Sequence, residues 1–310
     1  MVPHISAATL HAKTDWRMLT DRIEAFHRLD KADIRDIFLG PSDQTLLSRA
    51  AWIKGLGFGV KSVTIFRENA ARGLPTVQGV MALFDPESGS QIATLDSDLV
   101  TALKTAADSV LGARLLARSD SETLLIVGAG TVAESLIDAY PAIFPSLKRI
   151  QIWNRTRGRA DKLASRQIQN GIEITVANDL QSAIAQADIV SSATMSYEPI
   201  IRGDWVKPGT HVDLIGAFKA DMREADDALL RKARIFVDSR DTTIGHIGEL
   251  MIPIAAGVIS ESDVIADLYD LAAGATNRVA DDEITIFKNG GGAHLDLMIA
   301  RILYEMSAPT

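Results

Sequence analysis

Apolar positions recur with a helical period over residues 16–29. Two later runs, 59–66 and 76–84, are rich in β-branched and apolar residues and have strand length. Asp85-Pro86-Glu87-Ser88-Gly89 separates the second run from residues 91–95, a turn composition that predicts a hairpin. An alanine-rich helix is predicted over 99–118 and ends at Ser119-Asp120-Ser121. From residue 122 the pattern changes. Short apolar runs at 124–127, 149–154, 172–177, 188–193, 211–216 and 234–238 alternate with helical stretches, which predicts a doubly wound parallel sheet. The chain closes on a strand from residue 284, three successive glycines at 290–292 and a helix over 295–306.

Bulk numbers narrow this picture little. At 310 residues two domains are the default. With 47% hydrophobic and 23% charged residues, the composition is that of a soluble globular protein. A net charge of −8 without a basic cluster argues against a nucleic-acid surface. No run reaches the ~18 apolar residues of a membrane span or resembles a signal peptide. The absence of cysteine excludes disulfides and thiolate metal sites and fits a reducing compartment. A cytoplasmic chain is the plain expectation. His246-Ile247-Gly248-Glu249 lacks a third ligand in register, so no metal is expected and a loop or cap role is preferred.

The chemistry begins at Leu124-Leu125-Ile126-Val127-Gly128-Ala129-Gly130-Thr131-Val132-Ala133, an apolar strand running into Gly-x-Gly-x-x-Ala and then a helical pattern. Gly128 permits the tight turn, Gly130 lets the backbone approach a pyrophosphate, and Ala133 lets the helix pack closely. The free N–H groups of the helix start, at Thr131 and Val132, then face the phosphates. The next strand ends in Asn154-Arg155-Thr156, where an acid would bind a ribose 2′-hydroxyl and repel a 2′-phosphate. These donors and one cation favour NADP(H), with NAD(H) second; the bland alternative is a solvated Arg155. Ligands of such sheets lie at the carboxyl ends of strands, which adds Ser192, Ala193, Thr194, Gly216, Ala217 and Phe218 to the expected cofactor contacts. The three glycines after Lys288-Asn289 read as a site-lining turn, against a flexible connector.

Several ordered segments coincide with one family. Gly59-Val60-Lys61, Gly73-Leu74-Pro75-Thr76-Val77-Gln78-Gly79, Leu103-Lys104-Thr105-Ala106-Ala107, the Gly128 loop, Asn154-Arg155-Thr156 and residues 284–293 resemble the ornithine cyclodeaminase/μ-crystallin family over nearly the whole chain. The resemblance implies a Rossmann-type sheet domain (122–287) inserted in an α+β substrate-binding and dimerisation domain (1–121 plus 288–310), and a homodimer. It implies a carboxylate site in the first domain, facing the nicotinamide end, with Lys61 as catalytic residue and Arg35, Lys61, Thr76, Lys104 and His294 as substrate contacts. His294 stands even between a substrate-side and a structural hydrogen bond. The same resemblance assigns Asn289 to the cofactor. Asp296 is read as a cap of the last helix.

Two departures bear on activity. Lys104 stands where the family usually has arginine, replacing a bidentate fork by a point charge. Phe218 stands where cyclodeaminases carry an aspartate, and phenylalanine cannot transfer a proton. Ornithine cyclodeamination is therefore the least expected activity. Gly216-Ala217-Phe218 followed by Asp221-Met222-Arg223-Glu224 resembles the branch that reduces cyclic ketimines, so the expected substrate is a cyclic imino acid such as Δ1-pyrroline-2-carboxylate or Δ1-piperideine-2-carboxylate, giving L-proline or L-pipecolate. The alternatives are an alanine-type amino-acid dehydrogenase and a μ-crystallin-like NADPH/ligand binder without turnover.

Overall fold

The computed structural model describes residues 2–6, 14–167, 171–275 and 277–307. They fall into two compact units, Met1–Lys104 with Gly292–Thr310, and Thr105–Gly291.

The first unit is built on a six-stranded sheet in the order β1-β6-β5-β4-β3-β2. Its strands are β1 (His4–Ile5), β2 (Asp33–Leu39), β3 (Gln44–Ile53), β4 (Gly57–Phe66), β5 (Val77–Phe84) and β6 (Gln91–Asp96). β1 joins β6 in parallel and all other pairs are antiparallel. The expected hairpin is present between β5 and β6, its turn tied by the Asp85 carboxylate accepting from the Glu87 and Ser88 N–H groups. Helix α1 (Trp16–Phe26) starts at Asp15, whose side chain accepts from the Met18 N–H. The last helix of the chain, Ala293–Ser307, packs on α1 and on the sheet, burying Leu295, Leu297, Met298, Ile299, Ile302 and Leu303. Residues directly opposite on paired strands share a face. The row Asp36–Arg49–Lys61–Met81–Leu95 therefore lies on the helix-covered face. The next row, Arg35–Ala50–Val60–Ala82, points the other way, where Trp52, Phe58 and Val80 are exposed.

Helix α2 (Ser97–Leu116) carries the chain from the first unit into the second. There eight parallel strands form one sheet: β7 (Thr123–Val127), β8 (Arg149–Trp153), β9 (Glu173–Val176), β10 (Ile189–Ser192), β11 (His211–Leu214), β12 (Arg234–Val237), β13 (Val264–Ala266) and β14 (Thr285–Lys288). Their order is β13-β12-β14-β11-β10-β7-β8-β9. The α/β class with a parallel sheet matches the alternation in the sequence. The strands are apolar along their length because both faces are covered, with Leu125, Val127, Val190, Val212, Leu214, Ile235 and Ile286 in one core. The order grows one way from β7 to β9 and the other way from β10 to β11. The switch point therefore lies between β7 and β10, and the loops leaving these two strands flank the crevice where such sheets bind ligands. The edge strand β13 was not anticipated, and β14, last in sequence, is inserted between β11 and β12.

Candidate functional site

In the first unit two lysines converge on one carboxylate. Lys61 projects from β4 and Lys104 from α2, and each is 5% exposed. The Asp296 Oδ1 lies 2.6 Å from the Lys61 Nζ and 3.0 Å from the Lys104 Nζ. Lys61 also donates to the Thr101 hydroxyl at 3.2 Å, and Lys104 to the Gly292 carbonyl at 3.4 Å. Asp296 is not the helix cap expected from the sequence. The last helix, α10 (Ala293–Ser307), begins at Ala293, so Asp296 sits a turn in, with its N–H bonded to the Gly292 carbonyl and its carboxylate turned to the lysines. Burial opposes ionisation of Asp296, but Lys104, Lys61 and Arg49 outweigh it and hold its carboxyl at about 2. Burial pushes Lys104 down to about 8; Asp296 opposes this, while Lys61 and Arg49 add to it.

The sequence-derived substrate residues divide. Lys61 and Lys104 come together. His294 is buried beside them, its ring 5.9 Å from that of His27 in an edge-on contact, and burial holds its imidazole well below the usual histidine range. Arg35 does not join them. Strand parity turns it to the opposite face, where it pairs with Asp33 and bonds the Ile34 carbonyl. Arg49 takes the place, directly across from Lys61 and paired with Asp36 at 2.8 Å. Thr76 precedes β5, beyond the end of the β4–β5 ladder from Lys61, and its carbonyl accepts the Phe66 N–H. With Arg49 matched to Asp36, two ammonium groups face one carboxylate. When both lysines are protonated this leaves one positive charge for a small anion.

In the second unit the Gly128 loop leaves β7 as a tight turn. Gly128 has φ +122°, and a Cβ there would stand 2.7 Å from the Ala193 carbonyl. Gly130 is the N-cap of the helix Thr131–Ile143 (α3). Among the described residues no side chain caps this helix, and a Cβ on Gly130 would meet nothing within 4 Å. Thr131 is exposed and Val132 half-buried, so free N–H groups of the first turn open onto unfilled space, which fits a phosphate. Past β8, the Asn154 side-chain amide donates to the Thr156 carbonyl and closes the turn; among the described residues the exposed Arg155 has no hydrogen bond or ion pair. Ser192, Thr194, Gly216 and Ala217 all donate to Glu224, with Ala193 in the same loop and its N–H on the Val127 carbonyl. Phe218 is 52% exposed, and the Lys219 Nζ lies 5.5 Å from its ring centre.

Asn289 follows β14 directly. It is buried, and its side-chain N–H groups are taken by the Thr105 carbonyl and the Ser109 hydroxyl. The glycine turn after it is neither loose nor empty: Gly290 and Gly291 donate to the Asp238 carboxylate. Glu249, in the first turn of the helix Gly248–Ala255, accepts from the Glu224 and Ala225 N–H groups, and burial raises its carboxyl to about 7. Asp213, buried under Ser109, Ser191 and Tyr140, is likewise raised to about 7 by burial.

A doubly wound sheet with an open glycine turn, in a chain that also buries a cation pair, defines a dinucleotide-dependent oxidoreductase of a small anion. A model of the ornithine cyclodeaminase/mu-crystallin family matches residues 51–309, and the chain belongs to that family. It is 58% identical over 299 residues to the Delta(1)-pyrroline-2-carboxylate reductase of Paracoccus denitrificans, covering 96% of this chain and 94% of that protein. Among solved structures it is similar to the Thermococcus litoralis Delta(1)-pyrroline-2-carboxylate reductase in complex with NADH and L-proline (TM-score 0.90, 29% identity, 98% and 97% of the two chains). It is also similar to an archaeal alanine dehydrogenase dimer with bound NAD (TM-score 0.89, 29% identity, 98% and 95%).

Proposed function

We propose that this protein reduces cyclic imino acids, Δ1-pyrroline-2-carboxylate to L-proline and Δ1-piperideine-2-carboxylate to L-pipecolate, with NADP(H) preferred over NAD(H). The observation that carries the reading is the buried Lys61–Lys104 pair, in a chain 58% identical to a reductase of the first of these imines.

A protonated cyclic imine beside a carboxylate is already electrophilic at carbon, so the protein must chiefly hold and orient it. Lys61 and Lys104 take the carboxylate, and Asp296 fixes both ammonium groups without cancelling their charge. Lys61, the better anchored of the two, with Thr101 and Asp296 as partners, also holds a proton close to the imine nitrogen. Phe218 replaces the acid that a diamine substrate would need and presents an apolar ring. When bound, the reduced nicotinamide supplies the hydride. The α3 N-terminus holds the phosphates, Asn154, Arg155 and Thr156 the adenosine ribose, and the 192–194 and 216–218 loops the other half.

The test is a spectrophotometric screen of NADPH and NADH against both imines, pyruvate with ammonia, and ornithine. Oxidation of NADPH with the imines is expected; a folded protein giving none overturns the reading, and turnover only with pyruvate and ammonia replaces it by an alanine-type dehydrogenase. In the same assay Arg155→Asp should raise the KM for NADPH by about 10-fold or more while sparing NADH, since an acid there repels the 2′-phosphate.

Lys104 makes carboxylate binding depend on pH. A lysine held at about 8 loses its charge as pH rises through that value, so the site is strongest below it. Tetrahydrofuran-2-carboxylate, whose ring carries no titrating nitrogen, should inhibit competitively with a Ki that rises above pH 8. Lys104→Arg should keep that Ki flat to about pH 10, because arginine stays protonated there.

The homodimer is proposed to form over the sheet face carrying Trp52, Phe58 and Val80, and sedimentation of the purified chain reads its mass directly.

A further inference from the structure

Glu224 lies in the loop between β11 and α6 (Asp227–Lys232) and is fully buried. Its Oε1 accepts from the Ser192 hydroxyl at 2.6 Å, the Thr194 N–H at 2.9 Å and the Thr194 hydroxyl at 2.7 Å. Its Oε2 accepts from the Gly216 N–H at 2.5 Å and the Ala217 N–H at 3.2 Å. A carboxylate offers about four lone-pair sites, so these donors saturate it. Among the described residues they come from the last residue of β10 and from the loops leaving β10 and β11. The loops are drawn so close that a Cβ on Gly216 would stand 1.8 Å from the Thr194 carbonyl oxygen. Glu224 is itself held, since its own N–H and that of Ala225 donate to Glu249 at 2.7 and 2.9 Å. In the same interior the buried Lys288 Nζ donates to the Leu214 and Asn289 carbonyls.

We propose that Glu224 is a positioning residue for the cofactor: by clamping the 192–194 loop to the 216–217 loop it sets the surface on which the dinucleotide rests, without touching the dinucleotide. The proposal rests on the dinucleotide reading above. Its physical basis is preorganisation, because a loop already fixed loses little freedom when ligand binds. No neutral residue reproduces the clamp. Glutamine can aim its oxygen at Gly216 and Ala217 only by turning an NH2 group toward the Thr194 N–H, donor against donor.

The experiment is direct titration of NADPH and NADH onto wild-type protein and Glu224→Gln, followed by tryptophan fluorescence without substrate, with steady-state kinetics alongside. Glu224→Gln should weaken the tighter-bound dinucleotide by about 10-fold or more and raise its KM in step. At saturating dinucleotide its kcat and its KM for the imine should stay within about threefold of wild type, a split that a general loss of folded protein would not produce. If Glu224→Gln does not fold, as read by circular dichroism and melting, Ser192→Ala removes one arm of the clamp and should weaken binding by about 2- to 5-fold. Wild-type binding with an unchanged affinity in the folded variant overturns the clamp alone. Wild-type protein that binds neither dinucleotide overturns the dinucleotide reading and the clamp with it.

Discussion

Lys61→Ala is expected to lower kcat/KM for cyclic imines by about 10²–10⁴-fold, the range for removing a positioned proton donor or charge. Lys61 is the more tightly held of the pair, with Asp296 at 2.6 Å and Thr101 at 3.2 Å against 3.0 Å and 3.4 Å for the two partners of Lys104. Its truncation leaves Lys104 matched to Asp296, which abolishes the surplus positive charge that a substrate carboxylate would meet. Both kcat and KM should therefore worsen. Dinucleotide affinity should not change, because the glycine turn, Asn154-Arg155-Thr156 and the Glu224-bound loops all belong to the other unit. An unaltered kcat/KM would remove Lys61 from the reaction.

Asp296→Asn is expected to cost the fold about 2–5 kcal/mol at pH 7, measured by urea unfolding, since it leaves two buried ammonium groups facing each other. The pH dependence follows from the sign of the shift. A carboxyl held at about 2 in the native protein, below its usual 3.8, stabilises the fold while it is ionised. That contribution is complete above the unfolded value and is lost as pH falls toward 2. The wild-type stability curve should therefore slope downward between about pH 4 and 2, and the asparagine variant should lose the part of that slope that Asp296 contributes. Lys104, already pushed down by burial, should fall further without its carboxylate, bringing the rise in inhibitor Ki below pH 8. Equal stability of the two proteins at pH 7 would show that the lysines find their compensation elsewhere.

The second unit was the more legible part of the chain, because βαβ alternation is a local pattern and parallel strands covered on both faces read as plain apolar runs. Helix α2 and the β5–β6 hairpin were legible for the same reason: period and turn chemistry lie within twenty residues. β2 and β3 were not anticipated. Ile37, Phe38 and Leu39 are all exposed at the sheet edge, and β3 is half-buried along most of its length, so neither strand alternates cleanly. The site was legible as far as a motif carried it, at Gly128, Lys61 and Lys104. Its other members had no local signal. Asp296 looks like an N-terminal helix acid, and only the docking of α10 on the β4 face brings it to Lys61 across 235 residues of sequence. Arg49 is chosen over Arg35 by strand register, which no single-sequence pattern states. Glu224 is one more charge in a polar stretch until the β10 and β11 loops close on it.

The parentage of the Lys61–Asp296–Lys104 cluster also has a temporal side. Both lysines emerge from the ribosome in the first third of the chain, while their counter-charge arrives with the final helix, after β14 has completed the parallel sheet from its middle. Until residue 296 is made, the face of β4 that carries Lys61 has neither its apolar cover nor its carboxylate. The first unit therefore cannot mature during early synthesis, however favourable its sheet, and its two segments are bound to finish last and together. Chains cut short by even the last fifteen residues should persist as substrates for proteolysis, with the dinucleotide unit the part best able to survive.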